Sequence, residues 1–286
     1  MADNQWLERR VIAYAHQGGA REAPSSTLRA ISLAVERGAT AIELDVHRSV
    51  DGHLVVCHDA TVDRTTNGSG DIATMTLEEL QALDNAYWFV PGEDVRPDLE
   101  PARYPLRGRA PVDHGYGVAT LEEVLDTTAG IVLNLDIKRT APLVAPYERA
   151  LADLLRERER VDDVIVASFL DAATDEIKAY APEIATSPGT FGVAEFYRAV
   201  RAGETAPAAL LRHAAIQVPA SFKGVTVLDE QFVTAAHGAG LAVHAWTIND
   251  REEMEHLLDL GIDGIITDVP SVLSGLLEER GTAWKP

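Results

Sequence analysis

The sequence predicts an α/β protein built as a closed (β/α)8 barrel, and three observations carry that prediction. Short apolar strands alternate with amphipathic helices nearly to the end of the chain, which implies a parallel sheet with both faces covered. Eight or nine candidate strands fall within 286 residues, close to the ~250 residues typical of such a barrel. Polar residues also recur where successive apolar runs end: His16, Glu43 and Asp45, His58, Asp136 and Lys138, Ser168, Trp246, Asp268. That is the end of a barrel where catalytic groups sit. An open doubly wound sheet is the alternative architecture.

Taken in order, "RVIAYAH" reads as the first strand. A helix follows, with Leu28, Ile31 and Val35 on one face and Gly38 closing it. "TAIELDV" alternates Ile42, Leu44 and Val46 on one side with Glu43, Asp45 and His47 on the other. A wet edge strand would explain Glu43 and Asp45, but it would not predict His16, His58 and Asp136 at equivalent positions. A strand lining a site explains all of them. The Asp51-Gly52 turn leads into "LVVCHD", read as the third strand. "GIVLNLDIK" precedes a helix expected from about Val144 to Arg158, and "DVIVASF", "IATSPG", "AIQVP", "GLAVHAWT" and "DGIITD" supply the remaining strands. Between the last two lies a helix with Met254, Leu257 and Leu258 inward. From about 59 to 118 no clean strand–helix unit occurs, and "VPGEDVRPDLEPARYPLRGRAP" is rich in Pro, Gly and charge. It reads as an ordered insertion in a single domain spanning 1–286.

The composition is 46% hydrophobic and 24% charged, so the core can be large. One cysteine, Cys57, excludes an internal disulfide and a cysteine zinc cage; it lies in an apolar strand and is expected to be packed. No apolar run follows the charges of "MADNQWLERR", and no stretch approaches the ~20 apolar residues of a membrane span, so a cytoplasmic location is expected. A net charge of −20 argues against nucleic acid and stable association with anionic membranes. An anionic substrate would need a local cation to overcome that field.

The stretch "AHQGGAREAPSSTLRAISLAVERGATAIELDVHRSVDGHLVVCHDATVDRTTNGSG" resembles the glycerophosphodiester phosphodiesterase family, as do "LNLDIK", "ASF", "VHAWTIND" and "GIDGIITDVP". The resemblance implies a TIM barrel with a small insertion after the third strand, and metal-dependent hydrolysis of glycerophosphodiesters to an alcohol and glycerol 3-phosphate. It implies catalytic histidines at His16 and His58, metal-binding acids at Glu43, Asp45 and Asp136, and a substrate-facing lysine at Lys138. The chain departs from the family pattern in three places. Gln17 stands where Arg is usual, Ser25 and Ser26 where Glu-Asn is usual, and Asp136 where Glu is usual. Losing Arg and Glu together leaves the net charge unchanged, so Gln17 and Ser25 read as a matched replacement of an ion pair.

Oxygen ligands from the three acids suit one Mg2+ or Ca2+ rather than a softer metal. Two histidines flanking a phosphate can serve as general base and general acid. Gly18 and Gly19 serve either a phosphate contact or a tight strand-to-helix turn. His47 belongs either to the site wall or to the surface. Trp246 is expected to wall the substrate pocket, with a plain core role as the alternative. Arg64 is read as a structural salt bridge, and Ser168, with no base beside it, is not read as a nucleophile. The competing functions are a phospholipase D-like enzyme acting on lysolipids and a barrel that binds phosphodiesters without turnover.

Overall fold

The computed structural model describes residues 4–285, so the ends of the expected 1–286 span, residues 1–3 and 286, lie outside the described residues. Eight parallel strands form a nearly closed barrel. In chain order they are β1 (Ile12–His16), β2 (Ala41–Arg48), β4 (Val132–Ile137), β5 (Val164–Ala167), β6 (Ala185–Thr186), β7 (Ala215–Pro219), β10 (Ala242–Trp246) and β11 (Gly264–Thr267). In space the order is β6-β5-β4-β2-β1-β11-β10-β7. The remaining gap is bridged where Ala214 N–H donates to the Thr186 carbonyl at 2.9 Å.

One expected stave is not a stave. β3 (Leu54–Val56) pairs antiparallel with β2, Val46 facing Val56, and stands off the barrel path. The Asp51-Gly52 turn is too short for a crossover, and only a hairpin can join strands so closely. His58 therefore reaches the site by coming back down beside β2, with Cys57 N–H donating to the Asp45 carbonyl.

The helices cover the outside. α2 (Leu28–Glu36), α4 (Leu121–Thr127), α5 (Glu148–Glu157) and α6 (Asp171–Tyr180) pack one half; α7 (Thr190–Ala202), α8 (Glu230–Gly238), α9 (Arg251–Asp259) and α10 (Pro270–Arg280) pack the other. α5 starts four residues later than expected. Pro146 disfavours helical backbone at the residue before it, so the segment from Ala141 to Tyr147 stays irregular. At the amino-terminal end the short helix α1 (Gln5–Glu8) inserts Trp6 beneath the barrel, and Asn4 Nδ2 donates to the Ala214 and Gly240 carbonyls.

The region after β3 holds α3 (Leu77–Gln81) and short 3-10 turns over a small core of Val55, Cys57, Val62, Ile72, Leu80 and Val118. Cys57 is packed there, as expected. A two-stranded hairpin, β8 (Ser221–Phe222) and β9 (Val225–Thr226), follows β7. Among the described residues no helix is long and apolar enough to cross a membrane.

β2 is buried on both faces. Ile42, Leu44 and Val46 join the outer core beneath the helices, while Ala41, Glu43, Asp45 and His47 line the interior. Register carries the pattern round the barrel: His16 lies beside Glu43, Glu43 beside Asn134, and Asp45 beside Asp136.

Candidate active site

The interior changes character along the barrel axis. Its lower level is apolar, with Ile12, Ala41, Val132, Ile165, Ala215, Ala242 and Ile266 packed above Trp6. A neutral polar level follows. There Gln217 Nε2 lies 2.8 Å from Asn134 Oδ1 and 3.2 Å from His244 Nδ1. The carboxyl ends of the strands then present the charged groups.

His16 and His58 meet there edge to face, ring centroids 6.0 Å apart. Each ring is held through Nδ1 by a carboxylate at 2.6 Å, His16 by Asp268 and His58 by Asp59. Nδ1–H thus donates away from the site, leaving Nε2 of both rings as the working atom. Asp59 is gripped by Arg64 at 2.6 and 3.1 Å, so Arg64 is the salt bridge expected of it. The His58 hydrogen bond, reinforced by Arg64 and opposed by burial, holds the Asp59 carboxyl well below the usual carboxylate range. Burial alone would lower the His16 pKa. The Asp268 hydrogen bond and the charges of Glu43, Asp268 and Asp45 outweigh it and push His16 up to about 9.

The three acids form a buried cluster around one ammonium. Lys138 Nζ hydrogen-bonds Asp136 Oδ2 at 2.8 Å and lies 2.7 Å from Asp45 Oδ1, a contact not aligned as a hydrogen bond. Both oxygens of Asp45 and Oδ1 of Asp136 are buried without a hydrogen-bond partner. Burial first, and then the neighbouring Asp45 charge, raise Glu43 to about 8. Burial also raises Asp136, against the pull of Lys138. Among the described residues no three histidine, cysteine or acidic side chains form a ready-made metal cage; the lysine stands between two of the acids instead. The donor set is hard oxygen, and Asp45 Oδ2 and Asp136 Oδ1 are buried with nothing to accept from. That donor chemistry suits a divalent cation of the Mg2+ or Ca2+ type.

Gln17 does not act as half of a pair with Ser25. Its Nε2 lies 3.0 Å from His16 Nε2, whereas Ser25 offers its carbonyl to Asn85. Among the described residues no hydrogen bond joins the Gln17 and Ser25 side chains; Gln17 touches this loop through its own carbonyl, which accepts from Ser26 N–H. Against a neutral His16 the Gln17 amide donates. Against a protonated ring it must turn and present Oε1, which is buried and otherwise unpartnered.

Gly18 and Gly19 have φ of +81° and +92°, and a Cβ would fall 2.8 Å from Ala30 and 2.9 Å from Pro270. Their role in this structure is the tight turn against α2 and α10. Trp246 stacks edge to face with Phe169, centroids 5.7 Å apart, and the Phe169 ring lies 5.5 Å from Lys138 Nζ. The two rings make an aromatic wall beside the acids. His47 is buried with Nε2 3.5 Å from the His58 carbonyl, so it backs the site rather than facing solvent. Ser168 Oγ donates to the Ile137 carbonyl, a structural bond.

The eight residues singled out from the sequence thus gather at one mouth. Sequence reasoning missed Asp59 and Asp268 as partners of the histidines, and Asn249 as the partner of Asp268. Asp59 adjoins His58 in "CHDA" and Asp268 ends a strand, but their pairings are facts of the folded chain.

The profile of the Glycerophosphoryl diester phosphodiesterase family matches residues 16–272. A glycerophosphodiester phosphodiesterase of Caldanaerobacter subterraneus subsp. tengcongensis is 32% identical over 276 residues, covering 95% of this chain and all of that one. A phosphodiesterase from Oleispira antarctica, solved with the product sn-glycerol-3-phosphate, superposes with TM-score 0.72 at 25% identity, covering 96% of this chain and 99% of that one. A putative glycerophosphoryl diester phosphodiesterase from Silicibacter pomeroyi shares the fold with TM-score 0.76 at 23% identity, covering 99% of this chain and all of that one. With the barrel, the motifs and their order in agreement over nearly its whole length, this chain belongs to the glycerophosphoryl diester phosphodiesterase family.

Proposed function

We propose that the protein hydrolyses glycerophosphodiesters to an alcohol and glycerol 3-phosphate, with His16 and His58 as the acid–base pair. The observation that carries this reading is the pair itself: two imidazoles at one mouth, each anchored at Nδ1, each offering Nε2 above a buried acidic cluster. One Nε2 takes the proton of the attacking oxygen, and the other delivers a proton to the departing alkoxide. Lys138 holds a non-bridging phosphate oxygen, the Gln17 amide a second, and the Phe169–Trp246 wall bounds the organic part of the substrate.

Glu43, Asp45 and Asp136 would hold one divalent cation, Mg2+ or Ca2+, whose charge offsets the phosphate and the charge that develops on it. Asp45 Oδ2 and Asp136 Oδ1, buried without a hydrogen-bond partner, and the raised Glu43 support that assignment. The substrate is a small molecule, and the cytoplasmic setting belongs to the same proposal.

Release of glycerol 3-phosphate from a panel of headgroups, with and without divalent ions, tests it. Turnover that disappears in chelator and returns with Mg2+ or Ca2+ is the expected result. A lysolipid cleaved in preference to every short-headgroup diester would favour the phospholipase D-like reading. Tight binding of diesters with no turnover would make the barrel a binding module.

A further inference from the structure

We infer that Asn249, in the loop after β10, is a positioning residue for this reaction, fixing Asp268 so that Asp268 fixes the His16 ring. The inference rests on the acid–base role proposed for His16. Its geometry is unambiguous at each link. Asn249 Oδ1 lies 2.8 Å from the backbone nitrogen of Asp268 and 3.1 Å from Thr267 Oγ1. A backbone N–H only donates, so the atom facing it must be the amide oxygen, and the amide has one possible orientation. Nδ2 is thereby aimed at Asp268 Oδ2, 2.7 Å away. The other carboxylate oxygen, Oδ1, lies 2.6 Å from His16 Nδ1.

The end of β1 and the loops following β10 and β11 meet in this relay. Asp268 is at once the acceptor for His16 and the residue whose own backbone and side chain Asn249 clamps. The Asp268 carbonyl accepts from Arg21 N–H, but among the described residues its carboxylate has no further hydrogen bond besides those from His16 and Asn249. Freed of the amide, it can rotate about its χ angles. His16 then loses the bond that keeps the Nδ1 proton in place, and Nε2 is no longer reserved for the substrate. At the other histidine the same office is filled by a charged group, Arg64 on Asp59. The neutral amide at Asp268 holds the carboxylate without cancelling its charge.

Two variants separate positioning from folding. Asn249→Ala removes the whole clamp. Asn249→Asp, assayed at a pH where the new carboxyl is ionised, keeps an acceptor for the Asp268 N–H and the side-chain shape but replaces the Nδ2 donor with an oxygen that repels Asp268. Both should lower kcat by ~10- to 100-fold, the scale seen when outer partners that orient a functional histidine are removed, with KM and the thermal transition kept. In proton NMR the low-field resonance of the His16 Nδ1–H should be present in the wild type and shifted or lost in both variants. His16→Ala serves as the control for the underlying reading. If it stays active, the acid–base assignment fails. If His16→Ala is inactive while Asn249→Asp keeps its kcat or its Nδ1–H resonance, the role of Asn249 alone is overturned. A fall in kcat that comes only with a lowered thermal transition also overturns it.

Discussion

The lower and upper halves of the barrel interior are carried on the same faces of the same strands, two or four residues apart. Ile12 and His16 share a face of β1, Ala41 and Asp45 a face of β2, Val132 and Asp136 a face of β4. Below, buried apolar side chains close on Trp6 and need no partner beyond contact. Above, each polar group depends on another: His16 on Asp268, His58 on Asp59, Asp45 and Asp136 on Lys138. Register alone decides which half a side chain joins. The lesson is a division of labour by height, in which the lower half supplies stability and the upper half gives some of it up for chemistry. Three buried carboxylates around one lysine are what a stability-only interior would avoid.

The sharpest way to break this comparison is at the histidines. His16→Ala and His58→Ala should each lose ~10^2- to 10^4-fold in turnover, the usual contribution of a general acid or base, while each variant keeps a cooperative thermal transition. Either variant at near-normal rate would dissolve the upper half's claim to chemistry.

The converse change lies four residues below His16. Ile12 is fully buried, so Ile12→Ala should cost about 2–5 kcal/mol of unfolding free energy through lost burial and a cavity. Activity measured well below its melting temperature should remain. Denaturant unfolding beside a rate assay checks both halves of that statement.

Glu43→Gln sharpens the comparison further, because it should move stability and activity in opposite directions. Removing a buried carboxylate beside Asp45 relieves desolvation and like-charge repulsion. In chelator at pH 8 the variant should be more stable than wild type by on the order of 1–3 kcal/mol. Its turnover with Mg2+ should fall. A variant that is both less stable and fully active would place Glu43 among ordinary structural groups.

How much of this was legible follows the same division. Strand faces are read from alternation, so the apolar lower half and the polar strand ends both stand out in "AIELDVHRS" and "VLNLDIK". The three apolar residues of β3 look alike whether they run parallel or antiparallel; what marks the hairpin is the Asp51-Gly52 turn, too short for a crossover. β6 falls within the expected strand "IATSPG", shortened to Ala185 and Thr186. The start of α5 is masked because the apolar pattern runs unbroken from Val144 across Pro146. The partners of the histidines were least legible: His16 and Asp268 lie 252 residues apart in sequence. Gln17 and Ser25 looked matched in charge bookkeeping, yet the fold turns Gln17 onto His16.

The central claim is that the upper half is built around a divalent cation, and thermal unfolding of chelated protein from pH 5 to pH 8, with and without Mg2+ or Ca2+, tests it most directly. Glu43 is raised to about 8 in the folded protein by burial and then by Asp45. Its protonated form therefore stabilises the fold below its ordinary value of 4.5, and that contribution is lost as pH rises through about 8. His16, raised to about 9 where Asp268 and the nearby acids outweigh burial, acts in the same sense; its contribution is complete below 6.5 and lost as pH rises through about 9. The chelated protein should therefore weaken as pH rises across this range. Added cation competes with the proton on Glu43, so its stabilising effect should be small at pH 5 and large at pH 8. A melting temperature that ignores the cation at both pH values would contradict the account.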